Sequence, residues 1–208
     1  MKKKLLSGVI LGALFLAGEV GATNLVVNGG FEDPVVPLGS QYLLDTSPTG
    51  WSGTGDITVQ GYFGAVNSGD GNQWFDLNPG VGAGTGISQN ISLDAGTTYS
   101  FSFLYNGGGG GSTTQISYSL GLSLLSGFVS TAAMDVYGGT PWNTFSTTFT
   151  PANSGLETLS FLPNGSYSGG FIDGVTISSP GTVPEPASLL LLGSGLVGLG
   201  AWRLKKST

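Results

Sequence analysis

Two segments in the middle of the chain alternate between apolar and polar residues. In the first, residues 98–105, one face carries only aromatic side chains: Tyr99, Phe101, Phe103 and Tyr105. In the second, residues 116–124, the apolar positions continue through Tyr118, Leu120 and Leu122. A two-residue period is the pattern of a β-strand with one buried and one solvated face. We therefore expect both segments to be strands that cover a hydrophobic core.

Shorter apolar or alternating runs predict the remaining strands. They cover residues 24–27, 57–59, 74–77, 87–93, 144–149, 157–162 and 171–177. Turn-forming Gly, Pro, Asn and Ser separate them, and no internal segment has the 3.6-residue period of an amphipathic helix. The pattern is typical of an all-β fold with an antiparallel β-sandwich, and we expect a jelly roll.

The N-terminus has the composition of an export signal. Residues 1–22 combine a basic start, an apolar run and small residues that end at Ala22. This order predicts a signal peptide that is cleaved after Ala22 by signal peptidase. Residues 23–178 are then the β-sandwich domain, and residues 179–182 are a linker.

The C-terminal segment, residues 183–208, has three parts. A short motif, Val183-Pro184-Glu185-Pro186, precedes the uncharged residues 187–202 and the basic tail 203–208. As a helix the uncharged part would be roughly 24 Å long, a little less than a bilayer core of about 30 Å. We expect a transmembrane helix whose cations stay in the cytoplasm, which places the domain outside the inner membrane.

Charge excludes several classes of function. The six Lys and Arg residues all lie within residues 2–4 and 203–206, and the chain has neither His nor Cys. Twelve acidic residues less Glu19 and Glu185 leave ten carboxylates between residues 24 and 180, without a cation. Phosphate neutralisation by Lys and Arg is therefore absent, and we expect no binding of nucleic acid. Thiolate and imidazole chemistry and the usual zinc sites are excluded, whereas oxygen ligands for calcium remain.

Asp173 and Glu32 are the candidate calcium ligands. Asp173 shares its strand phase with Phe171, Val175 and Ile177, so we expect its side chain to point toward the apolar layer, where an unpaired carboxylate is costly. Glu32 follows the first predicted strand, and the first and last strands of a jelly roll commonly lie close together. A turn glutamate and an edge aspartate without an ion remain the alternative.

Tyrosines beside glycine or serine are the candidate ligand contacts. Tyr62, Tyr137 and Tyr167 lie outside the clean alternations, and sugars stack on exposed aromatic rings. We expect the tryptophans to be core residues instead. Catalysis would have to use carboxylates alone, as a glycosidase does, and we do not expect an enzyme.

The tail resembles the PEP-CTERM sorting signal of Gram-negative bacteria. Its motif Val183-Pro184-Glu185-Pro186, apolar helix and basic end have the order and position of that signal. The resemblance implies processing by an exosortase and delivery to the cell envelope, cell surface or extracellular matrix. The membrane contact through the helix is then at least transient, and a permanent single-pass anchor is the alternative.

The middle of the chain resembles galactose-binding-like jelly rolls. The matching segments are 24–32, Trp51, 93–99, Trp142 with Phe149, and 171–175, and residues 71–77 with 86–89 look most like the choice-of-anchor surface domains. The resemblance implies a structural calcium at Glu32 and Asp173. Gly174 departs from it, because carbohydrate-binding modules usually carry an acidic or amide residue there.

These observations favour a non-enzymatic surface or matrix protein. We expect association with exopolysaccharide and binding of a neutral polysaccharide. A purely structural matrix protein without a ligand is the alternative, and a carboxylate glycosidase is a third.

Mass spectrometry of the mature protein tests the two expected cleavages. We expect a chain that begins at Thr23 and ends near the motif at residues 183–186. An intact C-terminus through Thr208 would instead indicate a permanent anchor.

Overall fold

Antiparallel strands make up the regular structure of the computed structural model, which describes residues 22–38, 40, 42–59, 69–77, 86–107, 114–131, 141–164 and 170–179. The strands are β1 (Tyr42–Thr46), β2 (Ser52–Gly53), β3 (Gly55–Val59), β4 (Gln73–Asp76), β5 (Ile87–Leu93), β6 (Tyr99–Asn106), β7 (Thr114–Leu120), β8 (Leu125–Thr131), β9 (Asn143–Phe149), β10 (Gly155–Asn164) and β11 (Phe171–Ser178).

The strands form two sheets. The six-stranded sheet has the order β1-β3-β4-β11-β6-β9, and the five-stranded sheet has the order β2-β5-β10-β7-β8. Every pair of neighbours in either sheet is antiparallel. The expected all-β antiparallel sandwich is therefore confirmed.

The core lies between the two sheets and is rich in aromatic rings. Phe101 and Phe103 of β6 contact Phe161 of β10 at ring-centroid distances of 6.4 and 5.0 Å. Tyr118 of β7 lies 4.6 Å from Phe145 of β9 by the same measure. The alternation read along residues 98–105 is confirmed, because Tyr99, Phe101 and Phe103 are buried and the serines between them are not. Aromatic burial of this kind contributes a large part of the stability of a sandwich.

Residues 24–27 do not form the strand that we predicted. A single bridge joins Asn24 to Ser178, and the segment continues as bends and turns. The physical reason is that side-chain amides take the place of a neighbouring strand. The Asn24 side chain accepts N–H bonds from Val26 and Ile177 and donates to Val175, at 3.0 to 3.3 Å.

Gln89 of β5 holds the same segment from the other sheet. Its side-chain oxygen accepts the Val27 N–H at 2.8 Å, and its Nε2 donates to the carbonyls of Val27 and Gly50 at 3.0 and 2.9 Å. One side chain thereby copies the donor and acceptor pattern of a strand. The N-terminal segment is thus bound to both sheets without belonging to either ladder.

The predicted strand at residues 116–124 is wrong at its C-terminal end. β7 stops at Leu120, residues 121–124 form a turn, and β8 begins at Leu125. Gly121 has a φ of 61°, which is the left-handed region that favours glycine and ends the strand there. Leu122, which we expected on the apolar face, is 107% exposed at the turn. The strands β1, β2 and β8 were not predicted either.

The predicted signal peptide and sorting tail lie outside the described residues, except Ala22, which is exposed. Among the residues that are described, no helix is long and apolar enough to span a bilayer.

Replacing Gln89 by Ala tests whether side-chain amides hold the N-terminal segment. We expect the free energy of unfolding to fall by about 1 to 3 kcal/mol, because two backbone carbonyls and one N–H lose their partner. Chemical denaturation of the full chain measures the change. Ser92→Ala, on the exposed face of the same strand, is the matched control and should change stability by less than about 0.5 kcal/mol. Equal effects of both substitutions would contradict this role.

Candidate functional site

A turn at residues 69–73 is held on one side by the carboxylate of Asp173. Asp173 is fully buried, with 0% of its surface exposed. One of its oxygens accepts the Asp70 N–H at 2.7 Å, and the other accepts the Gly174 N–H at 2.7 Å. Backbone N–H groups thus bind the Asp173 carboxylate, a role that the side chain of Lys or Arg has in many other proteins.

Glu32 holds the other side of the same turn. Its Oε1 accepts the N–H groups of Asn72 and Gln73 at 2.5 and 2.8 Å. Gly71 has a φ of 73°, and a Cβ there would lie only 2.2 Å from Glu32 Oε1. A glycine is therefore required for this contact. The structure brings both predicted residues, Glu32 and Asp173, onto one turn.

The Gln73 side chain extends this set of hydrogen bonds into the interior of the domain. It donates from Nε2 to the carbonyls of Phe31 and Pro34 at 2.7 and 3.1 Å, and it accepts the Val36 N–H at 2.7 Å. Gln73 is only 3% exposed, so these bonds satisfy a buried polar group. The loop that carries Glu32 is therefore fixed relative to β4.

Asp70 is the carboxylate that the sequence analysis missed. A Cβ built on Gly30 would lie 3.2 Å from Asp70 Oδ2 and 3.9 Å from Asp173 Oδ1, so both carboxylates border the same glycine. The feature of the sequence that could have drawn attention to Asp70 is its position between two glycines, Gly69 and Gly71. Within the described part of the chain, no three acidic, His or Cys side chains form a group that could hold a metal ion.

The predicted orientation of Asp173 is wrong. The register of β11 against β6 shifts between Asp173 and Thr176, and Gly174 there has a φ of 53°. The resulting bulge puts Ile172, Val175 and Ile177 into the core. Phe171 and Asp173, one residue to either side of Ile172, therefore face away from the layer that we expected them to join.

The environment of Asp173 favours its neutral form. The pKa of its carboxyl is raised to about 8, chiefly by burial and to a smaller extent by the nearby Asp70 carboxylate. The N–H groups of Asp70, Gly174 and Gly69 act in the opposite direction and lower the pKa. Desolvation outweighs these hydrogen bonds.

Two tryptophans are buried, as expected, but only Trp51 belongs to the core between the sheets. Trp51 is 6% exposed and donates from Nε1 to the Asn28 carbonyl at 3.2 Å. Trp74 is fully buried against Trp142 and Phe171, and among the described residues its Nε1 has no hydrogen-bond partner. The three tyrosines predicted as ligand contacts, Tyr62, Tyr137 and Tyr167, lie outside the described residues.

A groove of about 340 Å³ lies beside β2 and β5. Only uncharged residues line it, among them Ser52, Ser88, Gln89 and Asn90. Its lining therefore offers hydroxyl and amide groups beside a few aliphatic side chains.

Residues 23–168 match the family model of a carbohydrate binding domain, CBM_4_9. The match covers more than half of the 208 residues. The chain belongs to this carbohydrate-binding family. Residues 182–206 match the PEP-CTERM protein-sorting motif, which confirms the identification of the tail.

The chain is similar to several solved structures. The CBM22-1 xylan-binding domain from Paenibacillus barcinonensis Xyn10C is 11% identical with a TM-score of 0.50, over 78% of this chain and 97% of that one. A CBM4 structure is 23% identical, with a TM-score of 0.46, over 74% of this chain and 98% of that one. TmCBM61 in complex with β-1,4-galactotriose is 16% identical, with a TM-score of 0.47, over 74% and 97%. No curated protein is a significant match.

The raised pKa of Asp173 predicts how the stability of the carbohydrate-binding domain depends on pH. The carboxyl binds its proton more tightly in the folded state, so its stabilising contribution is complete below about pH 3.8 and is lost as the pH rises to about 8. The slope should approach about 1.4 kcal/mol per pH unit within that range. Denaturation of the full chain in chelator at several pH values measures it. Asp173→Asn should flatten the curve, and an unchanged slope in that variant would contradict the assignment.

Proposed function

We propose that the chain is an exported, non-catalytic domain that binds a neutral glycan in the exopolysaccharide at the cell surface or in the extracellular matrix. The observation that carries the proposal is the family match over residues 23–168, joined in the same chain to a sorting motif at residues 182–206. The CBM22-1 domain with the same fold is a xylan-binding domain, which supports a polysaccharide as the class of ligand.

The charge of the chain favours a neutral ligand. Between residues 5 and 202 there is no Lys, Arg or His. An anionic polysaccharide would meet ten carboxylates (twelve in the chain less Glu19 and Glu185) and no positive partner. A neutral glycan needs only hydrogen bonds and apolar contact, and the groove beside β5 offers both.

The burial of Asp173 supports a non-catalytic role. A glycosidase needs two carboxylates that flank a glycosidic bond. Asp173 has the raised pKa of an acid catalyst, but it is fully buried and both of its oxygens accept backbone N–H bonds. A carboxyl enclosed in this way supports the fold, and it does not offer its proton to a substrate.

The sorting motif favours processing by signal peptidase and exosortase in a Gram-negative envelope. The basic tail, residues 203–208, would remain on the cytoplasmic side until cleavage. The domain would then act outside the inner membrane, where it meets extracellular polysaccharide.

We also propose a structural calcium ion near Asp173. Asp70 and Asp173 border the same glycine, Gly30, and carboxylate oxygens are the ligands that calcium prefers. Glu32 holds the turn that carries Asp70 and has one further carboxylate oxygen. A bound ion would displace the proton of Asp173 and neutralise the carboxylates of both Asp70 and Asp173, for which the domain has no cation. It would serve stability and not chemistry.

Binding of the full chain to polysaccharides tests the proposed function. Affinity electrophoresis in gels with a β-glucan, a xylan, a β-1,4-galactan or a galactomannan should show retardation in at least one gel. A gel with carboxymethylcellulose is the anionic control and should show none. Binding to no neutral polymer would contradict the proposal and favour a structural protein without a ligand. Release of reducing sugars, lost on substitution of one carboxylate, would favour a glycosidase.

Thermal unfolding of the full chain tests the calcium ion. At calcium a hundredfold above Kd we expect the native state to gain about 2.7 kcal/mol relative to chelator. Asp70→Asn should abolish this gain, since it removes a carboxylate beside Gly30. Asp94→Asn, an exposed aspartate in another turn, is the matched control and should keep it. A melting temperature that is equal in calcium and in chelator would overturn the calcium proposal.

A further inference from the structure

Strand β8 is an edge strand without the features that usually protect a sheet edge. In the described part of the chain it pairs with β7 alone, so alternate N–H and C=O groups along its seven residues have no ladder partner. It contains neither a charged residue nor a proline. Soluble proteins usually place such a residue or a bulge at an edge, because an unprotected edge binds further strands. β8 is therefore open to pairing with another chain.

The edges at the far end of the sandwich are protected. β2, the other edge of the same sheet, is only two residues long. In β1, an edge of the six-stranded sheet, the register is irregular between Leu43 and Thr46, and the exposed Asp45 has a φ of 46°. Short, bulged or charged edges resist the addition of a strand. β8 differs from both.

The residues of β8 are arranged symmetrically about Phe128. Phe128 is the middle residue of Leu125–Thr131, and Ser126 and Ser130 lie two positions to either side of it. If two copies of β8 run antiparallel about a two-fold axis at Phe128, the two rings lie opposite each other. Each Ser126 then lies opposite Ser130 of the second copy. Aromatic pairs and hydroxyl pairs at directly opposite positions stabilise antiparallel strands.

Both faces of β8 fit this arrangement. On the outer face Phe128 is 62% exposed, so its ring is accessible to a second copy. On the inner face Gly127 would lie opposite Val129 of the second copy. Tyr118 of β7 extends over Gly127, since a Cβ built there would lie 2.5 Å from the Tyr118 hydroxyl oxygen. A second strand would therefore cover the end of this ring.

The charge distribution favours a second copy of the chain as the partner. β7 and β8 carry no charged residue. Ten carboxylates lie between residues 24 and 180 (twelve in the chain less Glu19 and Glu185), without a cation. A basic partner would be attracted to those carboxylates and away from β8, and an acidic partner would be repelled. A second β8 brings no charge to the contact.

We propose that two copies of the chain associate through β8, with the strands antiparallel about a two-fold axis at Phe128. The two five-stranded sheets then form one sheet of ten strands. Each copy covers the unpaired edge of the other, so the assembly closes at two copies. The competing location is β9, an uncharged edge of the other sheet on the same side, where Phe145 contacts Tyr118.

Charge substitutions in the full chain test the two-fold pairing. Phe128→Glu removes the aromatic pair and places two carboxylates opposite each other, so the dimer should dissociate about tenfold more readily. Leu156→Glu is the matched control, because Leu156 is 71% exposed on β10 of the same sheet, and it should leave the dimer unchanged. Ser146→Glu, at an exposed position of β9, should also leave it unchanged. Sedimentation equilibrium in detergent at about 0.15 M salt measures the association.

A mixture of two variants tests the position of the axis. Phe128→Lys alone should weaken the dimer as Phe128→Glu does, because two like charges again lie opposite each other. An equimolar mixture of the two variants should restore association, since a Lys then faces a Glu. Restoration requires that position 128 of one copy lies beside position 128 of the other.

A cysteine at the same position tests the contact by a covalent bond. The chain has no Cys, so the single thiol of Phe128→Cys can form a disulfide only with a second copy. Opposite residues of antiparallel strands have Cα atoms about 4.5 to 5.5 Å apart, which suits a disulfide. Under mild oxidation we expect a covalent dimer of Phe128→Cys on a non-reducing gel. Leu156→Cys and Ser146→Cys should stay monomeric on that gel.

Four outcomes would overturn the proposal. They are an unaltered chain that stays monomeric up to its solubility limit, a dimer that persists in Phe128→Glu, a dimer lost only in Ser146→Glu, and equal crosslinking of the three cysteine variants. All variants keep the C-terminal segment, so association through that segment would persist in every one of them. Denaturation curves show whether each variant is folded. If Phe128→Glu is unstable, Phe128→Ser replaces it, with an expected weakening of about threefold from the lost aromatic pair.

Discussion

The interaction on which the rest of the domain depends is the hydrogen bonding of backbone N–H groups to carboxylates. The sandwich has no cation to pair with Glu32 or Asp173, so the turn at residues 69–73 supplies N–H donors to both. This turn then positions Gln73, whose amide holds the loop that follows Phe31. A chain of polar contacts thereby joins the N-terminal segment to β4 and β11, in addition to the single bridge between Asn24 and Ser178. Loss of either carboxylate would free several backbone groups at once.

The same lack of cations shapes the surface of the domain. In the described part of the five-stranded sheet, the outward-facing residues are uncharged, and Leu162 and Phe128 are exposed among serines. A surface of this kind gains little from long-range electrostatics and more from short-range contacts. It is therefore suited to a neutral ligand. Membership of a carbohydrate-binding family and a sorting motif in one chain are consistent with such a ligand outside the cell.

Strand alternation was enough to predict the sandwich and the buried face of β6, because local pattern determines which side of a strand is apolar. It failed where non-local contacts decide the structure. Residues 24–27 have the pattern of a strand, but beside one backbone bond from Leu25 to Ile177 their partners are the side-chain amides of Asn24 and Gln89. The predicted orientation of the Asp173 side chain was wrong, because an alternating sequence gives no sign of the bulge at Gly174. Chain order predicted that Glu32 and Asp173 lie near each other, and both accept N–H bonds from the turn at residues 69–73, whereas the place of Asp70 depends on contacts between distant segments.

Mapping of the bound glycan by NMR tests the central claim most directly. In a titration of the isotope-labelled full chain with a neutral polysaccharide fragment, we expect the largest chemical-shift changes around the groove, at Ser88 and Asn90. Changes concentrated at Trp142, which precedes β9 of the other sheet, would contradict the account of the site. Changes produced only by an anionic polysaccharide would contradict the claim that a domain without cations recognises a neutral one.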